Sequence, residues 1–235
     1  MAYERHRALE GKPVRFTLFT LLAIAVGGIV LLIPPAFLQG TIEPLSGHAP
    51  YTALEQEGRD IYVREGCNVC HSQQVRPFKS ETDRYGHYSV AGEGVYDRPF
   101  LWGSRRTGPD LARVGGKYPH SWHWIHFEDP RRIEPRSNMP GFAFLTTTPL
   151  DTSLSSRKLA VLRTLGAPYS DHEVERAAED ALAQAEEIAA ALRKDGIALD
   201  EVQARSEAVA VIAYLQSLGR AIAAQPIDTA MLESH

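Results

Sequence analysis

Cys67-Asn68-Val69-Cys70-His71 contains the only two cysteines of this 235-residue chain. C-x-x-C-H is the attachment signature of a c-type haem, in which both thiols add to the porphyrin vinyl groups and the adjacent histidine binds the iron. The step of three between the thiols is close to one helical turn, so both sulfurs reach the same edge of one ring. Other chemistries fit less well. A zinc site needs four ligands, usually with more thiols than this chain supplies. A thioredoxin-like site gives no reason for a histidine directly after the second cysteine, and no βαβ pattern surrounds this one.

Outward from the motif, the composition is that of a mostly water-soluble protein with one apolar stretch. The net charge is −4 with no basic stripe, which argues against nucleic acid as a partner. Between Arg15 and Glu43 no ionised side chain occurs, and Phe16 to Ile33 is uninterruptedly uncharged. Eighteen helical residues rise about 27 Å, close to the ~30 Å hydrocarbon thickness of a bilayer. Residues 16–38 are therefore expected to form a single transmembrane anchor, with Pro34-Pro35 kinking or ending the helix. Arg5, Arg7, Lys12 and Arg15 precede the span, which puts residues 1–15 in the cytoplasm and everything after the 39–50 linker outside, in a bacterial periplasm. A cleaved signal peptide is the rival reading, but its apolar region is normally shorter, and Pro34-Pro35-Ala36-Phe37 is a poor cleavage site. Export agrees with the motif, because c-type haems are attached after translocation.

The expected fold is mainly α: the anchor, then a class I cytochrome c-like domain over 51–222 and a tail over 223–235. Thr52-Ala53-Leu54-Glu55 is a capping box opening a helix that ends near Gly66. Ser206 is placed to cap a second helix, through Val209, Ile212 and Leu215, stopped by Gly219. Two such helices at the extremes of a domain are similar to the terminal pair of class I cytochromes c. Gly58 would let them cross closely, with Tyr62 near Tyr214 or Leu215. The iron needs a sixth ligand. Of three methionines, Met1 is the start and Met231 lies in the tail, leaving Met139 in Ser137-Asn138-Met139-Pro140-Gly141. His123 and His126 are the rival ligands. Gly108-Pro109-Asp110-Leu111 resembles the place where class I cytochromes c offer a proline carbonyl to the proximal imidazole, although Gly-Pro is also a plain turn signal.

Longer motifs narrow the reading. Tyr51-Thr52-Ala53-Leu54, Glu57-Gly58-Arg59-Asp60-Ile61-Tyr62, Cys67 through Gln73, Val75-Arg76-Pro77-Phe78, Glu81-Thr82, Arg84-Tyr85-Gly86-His87-Tyr88-Ser89 and Trp102-Gly103-Ser104 through Asp110 follow one another. This run, to about Leu145, resembles the membrane-anchored mono-haem cytochrome c subunit (subunit II) of cbb3-type cytochrome c oxidases. The resemblance implies one covalent haem c and a relay of single electrons. The donor would be a sister multi-haem cytochrome c subunit or a soluble cytochrome c, and the acceptor the haem-copper catalytic subunit. It also implies that Arg76, Arg84, Trp102, Arg105 and Arg106 are candidates for contact with that subunit or with haem propionates; for any one arginine a solvated face is the simpler reading.

About fifty residues separate His71 from Trp122, more than a haem crevice requires. Within this insertion Tyr88 to Tyr96, with Gly92 and Gly94, is expected to form a hairpin. Ser170-Asp171-His172-Glu173 is a further capping box, leading into an extra alanine-rich helix that ends at Asp195-Gly196. Its alanine face is expected to cover its own domain rather than a partner's membrane helices. A shorter helix, Arg157 to Leu165, stops at Gly166. No Ser-His-Asp set, paired-carboxylate arrangement or phosphate-binding loop is evident, so this chain is read as an electron-transfer subunit without an oxygen-reducing centre of its own. The alternatives are a cytochrome c subunit of nitric oxide reductase and a haem-based sensor with an open sixth position.

Overall fold

In the computed structural model, residues 6–8, 10–37, 42–103 and 105–223 are described. Leu38 of the anchor, linker residues 39–41, Ser104, Met1, Arg5, Met231 and the tail from 224 lie outside them. The chain is mainly helical, and contacts divide it between Glu43 and Pro44.

The first unit holds α1 (Pro13–Phe37). Its uncharged run leaves nothing to pair within one helix, and its large apolar side chains are exposed along their length, Leu32 by 73%. Pro13–Ile33 is long and apolar enough to cross a membrane. The helix runs through Pro34 and Pro35 and ends at Phe37.

The second unit is built on α2 (Ala53–Arg64) and α10 (Glu207–Ser217). The Thr52 hydroxyl accepts from the Glu55 amide at 3.2 Å, and the Glu55 carboxylate accepts from the Thr52 amide at 2.9 Å. The two helices cross at Gly58, where any Cβ would lie 1.9 Å from the Ala210 carbonyl oxygen. Tyr62 and Tyr51 pack on Tyr214, with ring centroids 5.3 and 5.5 Å apart. Leu54, Val209 and Ile212 are fully buried there, each contributing about 1.5–3 kcal/mol.

Between these helices come α3 (Cys67–Cys70), α4 (Lys79–Tyr85) and α5 (His120–Glu128). Next are α6 (Ser155–Thr164), α7 (Asp171–Glu175), α8 (Ala177–Lys194) and the short α9 (Glu201–Ala204), and α11 (Arg220–Ala223) follows α10. The alanine-rich α8 does cover its own domain: Ala181, Ala185, Ala189 and Leu192 are fully buried, and it packs against α2, α5 and α10. Ser155 and Lys158 of α6 both reach the buried Glu57 of α2, at 2.7 and 2.5 Å.

Three local expectations are corrected. The segment Tyr88 to Tyr96 is no hairpin: it turns through a 3-10 helix at Ala91–Glu93. The Glu93 carboxylate accepts from the Val90 amide at 2.9 Å and from the Arg113 guanidinium at 2.6 and 2.8 Å, so the backbone closes on itself. The helix begun at Ser170 is two helices, broken at Arg176, because α7 packs on α6 while α8 turns to α2. Ser206 precedes α10 but does not cap it with its side chain; its hydroxyl donates to the Gln203 carbonyl at 2.8 Å instead.

Candidate haem-attachment site

Gly66 takes a left-handed turn (φ 72°) at the end of α2 and delivers Cys67 to Cys70 as one helical turn. Both cysteines are free, Cys67 half-buried against the core and Cys70 exposed. Burial pushes the Cys67 thiol up to about 11. Among the described residues, no cluster of three or more His, Cys, Asp or Glu side chains is arranged to hold a metal ion by itself. A donor set of two thiols and one imidazole suits a porphyrin that brings its own iron.

The imidazole of His71 is the most constrained part of the motif. Its Nδ1 lies 2.7 Å from the Pro109 carbonyl oxygen. A carbonyl can only accept, so Nδ1 carries the proton and the lone pair is on Nε2, the nitrogen left for a metal. Gly108 lies against the ring: a Cβ there would be 2.2 Å from His71 Cε1. Burial lowers the His71 pKa, outweighing the opposing pull of the Pro109 bond and of Asp110, and the neutral ring is the ligating form.

The chain after the motif is zipped to the segment carrying Pro109. Gly108 N donates to Cys70 O at 3.0 Å, Leu111 N to Ser72 O at 2.9 Å, and Gln73 N to Trp102 O at 2.8 Å. Beneath lies a buried ionic cluster that the sequence reading missed. Asp110, its side chain wholly inaccessible, accepts from the Ser72 hydroxyl at 2.6 Å and from the Gln74 and Ala112 amides at 2.8 and 2.9 Å. Arg106 donates to Ser72 Oγ at 2.6 Å, to Gln74 O at 2.8 Å and to Glu81 at 2.6 and 2.7 Å. These bonds, Arg106 foremost, hold the Glu81 carboxyl down to about 2. The expectation that Arg106 faces a partner or a propionate is thus corrected: it is turned inward, where two carboxylates offset its desolvation. Arg76 also pairs with Glu81, and Arg84 lies over the Tyr85 ring at 5.1 Å. Trp102 remains exposed, stacked on Phe100 with centroids 5.0 Å apart. No local pattern announces the whole Asp110 cluster, because Ser72 and Gln74 come from 38 and 36 residues away in sequence.

Met139 sits half-buried in the loop after α5, packed against the same core as Cys67. Its amide donates to Ser137 Oγ at 3.2 Å, and the loop is tied to α5 by Phe142 N to Phe127 O at 2.7 Å. Of the rival histidines, His123 is buried, and its Nε2 has no hydrogen-bond partner. Desolvation, helped by His126 and His120, pushes it down to about 4. His126 stacks on Trp122 at 4.7 Å, its buried Nδ1 likewise without a partner, and desolvation with the nearby His71 lowers its pKa.

No curated protein matches the chain. The family described as cytochrome C oxidase, mono-heme subunit/FixO matches residues 6–222, which takes in the apolar helix, the cysteine motif and both crossing helices. That family implies a haem c, and Cys67 and Cys70 are compatible with its attachment. With two free thiols one turn apart, a histidine beside them hydrogen-bonded through Nδ1 and a matching family over nearly its whole length, this chain belongs to the mono-haem subunits of cytochrome c oxidase.

Proposed function

We propose that this chain is the electron-relay subunit of a cbb3-type oxidase, with one haem c attached through Cys67 and Cys70 and axial ligands His71 and Met139. When bound, the haem supplies a one-electron couple. The chain's residues orient and shield it. Pro109 holds the Nδ1 proton and so keeps Nε2 free to ligate. Gly108 leaves room for the ring, and buried Tyr62 and Trp124 help to exclude water. The anchor α1 fixes the domain to the bacterial inner membrane, with Arg7, Lys12 and Arg15 on the cytoplasmic side and the haem domain in the periplasm. Electrons arrive from a sister multi-haem cytochrome c subunit or a soluble cytochrome c and leave for the haem-copper catalytic subunit, where oxygen is reduced.

The observation that carries this reading is the His71–Pro109 contact directly after two free thiols. Purification of the tagged full-length chain from native membranes tests it. We expect a copper-containing oxidase subunit to co-purify, and the ferric protein to show a methionine-to-iron charge-transfer band that Met139→Ala abolishes. Recovery without such a subunit would overturn the assignment, and a spectrum unchanged in Met139→Ala would overturn the ligation.

A further inference from the structure

Two parallel links join the motif to the 108–111 segment. His71 meets Pro109, and the next residue on each segment, Ser72 and Asp110, meet through a 2.6 Å hydrogen bond. Asp110 is held from four sides: Ser72 Oγ, the Gln74 amide and Arg106 at Oδ2, and the Ala112 amide at Oδ1. Its neighbour Pro109 is exposed and has no amide hydrogen to anchor it, so where its carbonyl points depends on the residues on either side, Gly108 and Leu111 through their backbone bonds and Asp110 through its side chain. The Ser72 hydroxyl also accepts from Arg106 Nε at 2.6 Å, which leaves its proton no choice but Asp110.

We propose that Asp110, acting through Ser72 and its own backbone, is a positioning residue that holds the Pro109 carbonyl on His71 Nδ1 and thereby sets the donor strength of that imidazole toward iron. This rests on His71 being the iron ligand. A carbonyl held firmly on Nδ1–H gives the ring imidazolate character, stabilises the ferric state and lowers the reduction potential. Loosening the clasp moves the potential up. Removing the Asp110 charge alone moves it in the same direction, so a potential shift in Asp110→Asn does not separate position from charge. Ser72→Ala does, because it cuts the link without changing any charge and removes only a hydroxyl.

The test uses the full-length haem-loaded chain in detergent with ¹⁵N-labelled histidine. It reads the hydrogen-exchange rate of the His71 Nδ1 proton together with the midpoint potential. Ser72→Ala and Asp110→Asn are each expected to speed that exchange at least tenfold and to shift the potential upward. Glu81→Gln, which removes the other carboxylate bound by Arg106 and leaves the Ser72–Asp110 link in place, is expected to leave the exchange rate unchanged. If Asp110→Asn does not take up haem, Ser72→Ala decides alone. An unaltered exchange rate in Ser72→Ala overturns the proposal, and so does equal acceleration in Glu81→Gln. If the wild-type ferric protein shows no iron-shifted His71 proton, the ligation reading itself has failed, a result distinct from either.

Discussion

Helices α1 and α10 are both apolar, yet they meet opposite environments. In α1 the leucines, isoleucines and phenylalanines from Phe16 to Ile33 are about half to three-quarters exposed, and a Cβ added at Gly27 or Gly28 would touch nothing within 4 Å. In α10 every residue from Glu207 to Gln216 is buried, and its backbone receives Gly58 of α2 so closely that no side chain fits between. The difference follows from length and from what punctuates each run. Twenty-five helical residues span about 37 Å, more than a bilayer's ~30 Å hydrocarbon core. The eleven residues of α10 are too short for that, and they carry Tyr214 and Gln216, which need polar partners. Those partners exist inside the domain: Tyr214 Oη donates to Gln73 at 3.0 Å, and Gln216 Nε2 donates to the Tyr118 carbonyl at 2.8 Å.

The largest expected effect lies at the crossing. Gly58→Val drives carbon atoms into the Ala210 carbonyl, a backbone group that cannot step aside. A loss beyond about 3 kcal/mol is expected, the upper end of overpacking costs. Limited proteolysis and the yield of haem-loaded protein should both report a domain that fails to fold; a protease-resistant Gly58→Val domain would mean that the helices do not cross here.

A smaller effect separates the two regions by pH. The α1 segment contains no histidine, aspartate or glutamate, whereas the domain buries His123. The unfolded chain takes up the His123 proton near 6.5 and the folded chain only near 4. Between those values the unfolded state binds the extra proton, so stability rises with pH across this window. Acidification from 7 to 4 should remove about 3 kcal/mol through this residue. The lowered pKa values of His120 and His126 act in the same direction. Denaturant titrations at successive pH values should show the slope, and His123→Phe, which removes the unpartnered Nε2 and keeps an aromatic ring beside Trp122, should flatten it. A slope unaffected by His123→Phe would place the acid sensitivity elsewhere.

The smallest expected effect completes the comparison. Gly28→Val, with open space around the new side chain, should change the domain's unfolding free energy by no more than about 0.5 kcal/mol. Thermal unfolding followed at the domain's aromatic residues measures this; a larger change would show that the stability of the domain depends on Gly28.

Features carried by neighbours in sequence were legible before any coordinates. The Thr52 and Ser170 caps depend on a carboxylate three residues on, and both close as expected. Gly58 announced a close approach because two apolar helices had to cross, and Gly166 and Gly196 ended helices through their positive φ. Misreadings arose where a local pattern had a distant competitor. Gly92 and Gly94 suggested a hairpin, but Arg113 captures Glu93 and folds the segment into a turn. Ser206 had the right type and place for a cap, and the Gln203 carbonyl took its hydroxyl. Arg106 looked like a surface cation until Glu81 and Asp110 were seen beside it.

By itself the sequence determined the Cys-x-x-Cys-His motif and the long apolar helix, because both depend on residues within one helical turn or one unbroken run. Cys67, Cys70 and His71 are within five positions, and an uncharged helix declares its length without reference to anything else. Only the tertiary structure decided what surrounds the histidine. Pro109 and the Asp110 cluster come from nearly forty residues away, and a buried charge is stable there only because its partners arrive together from several segments.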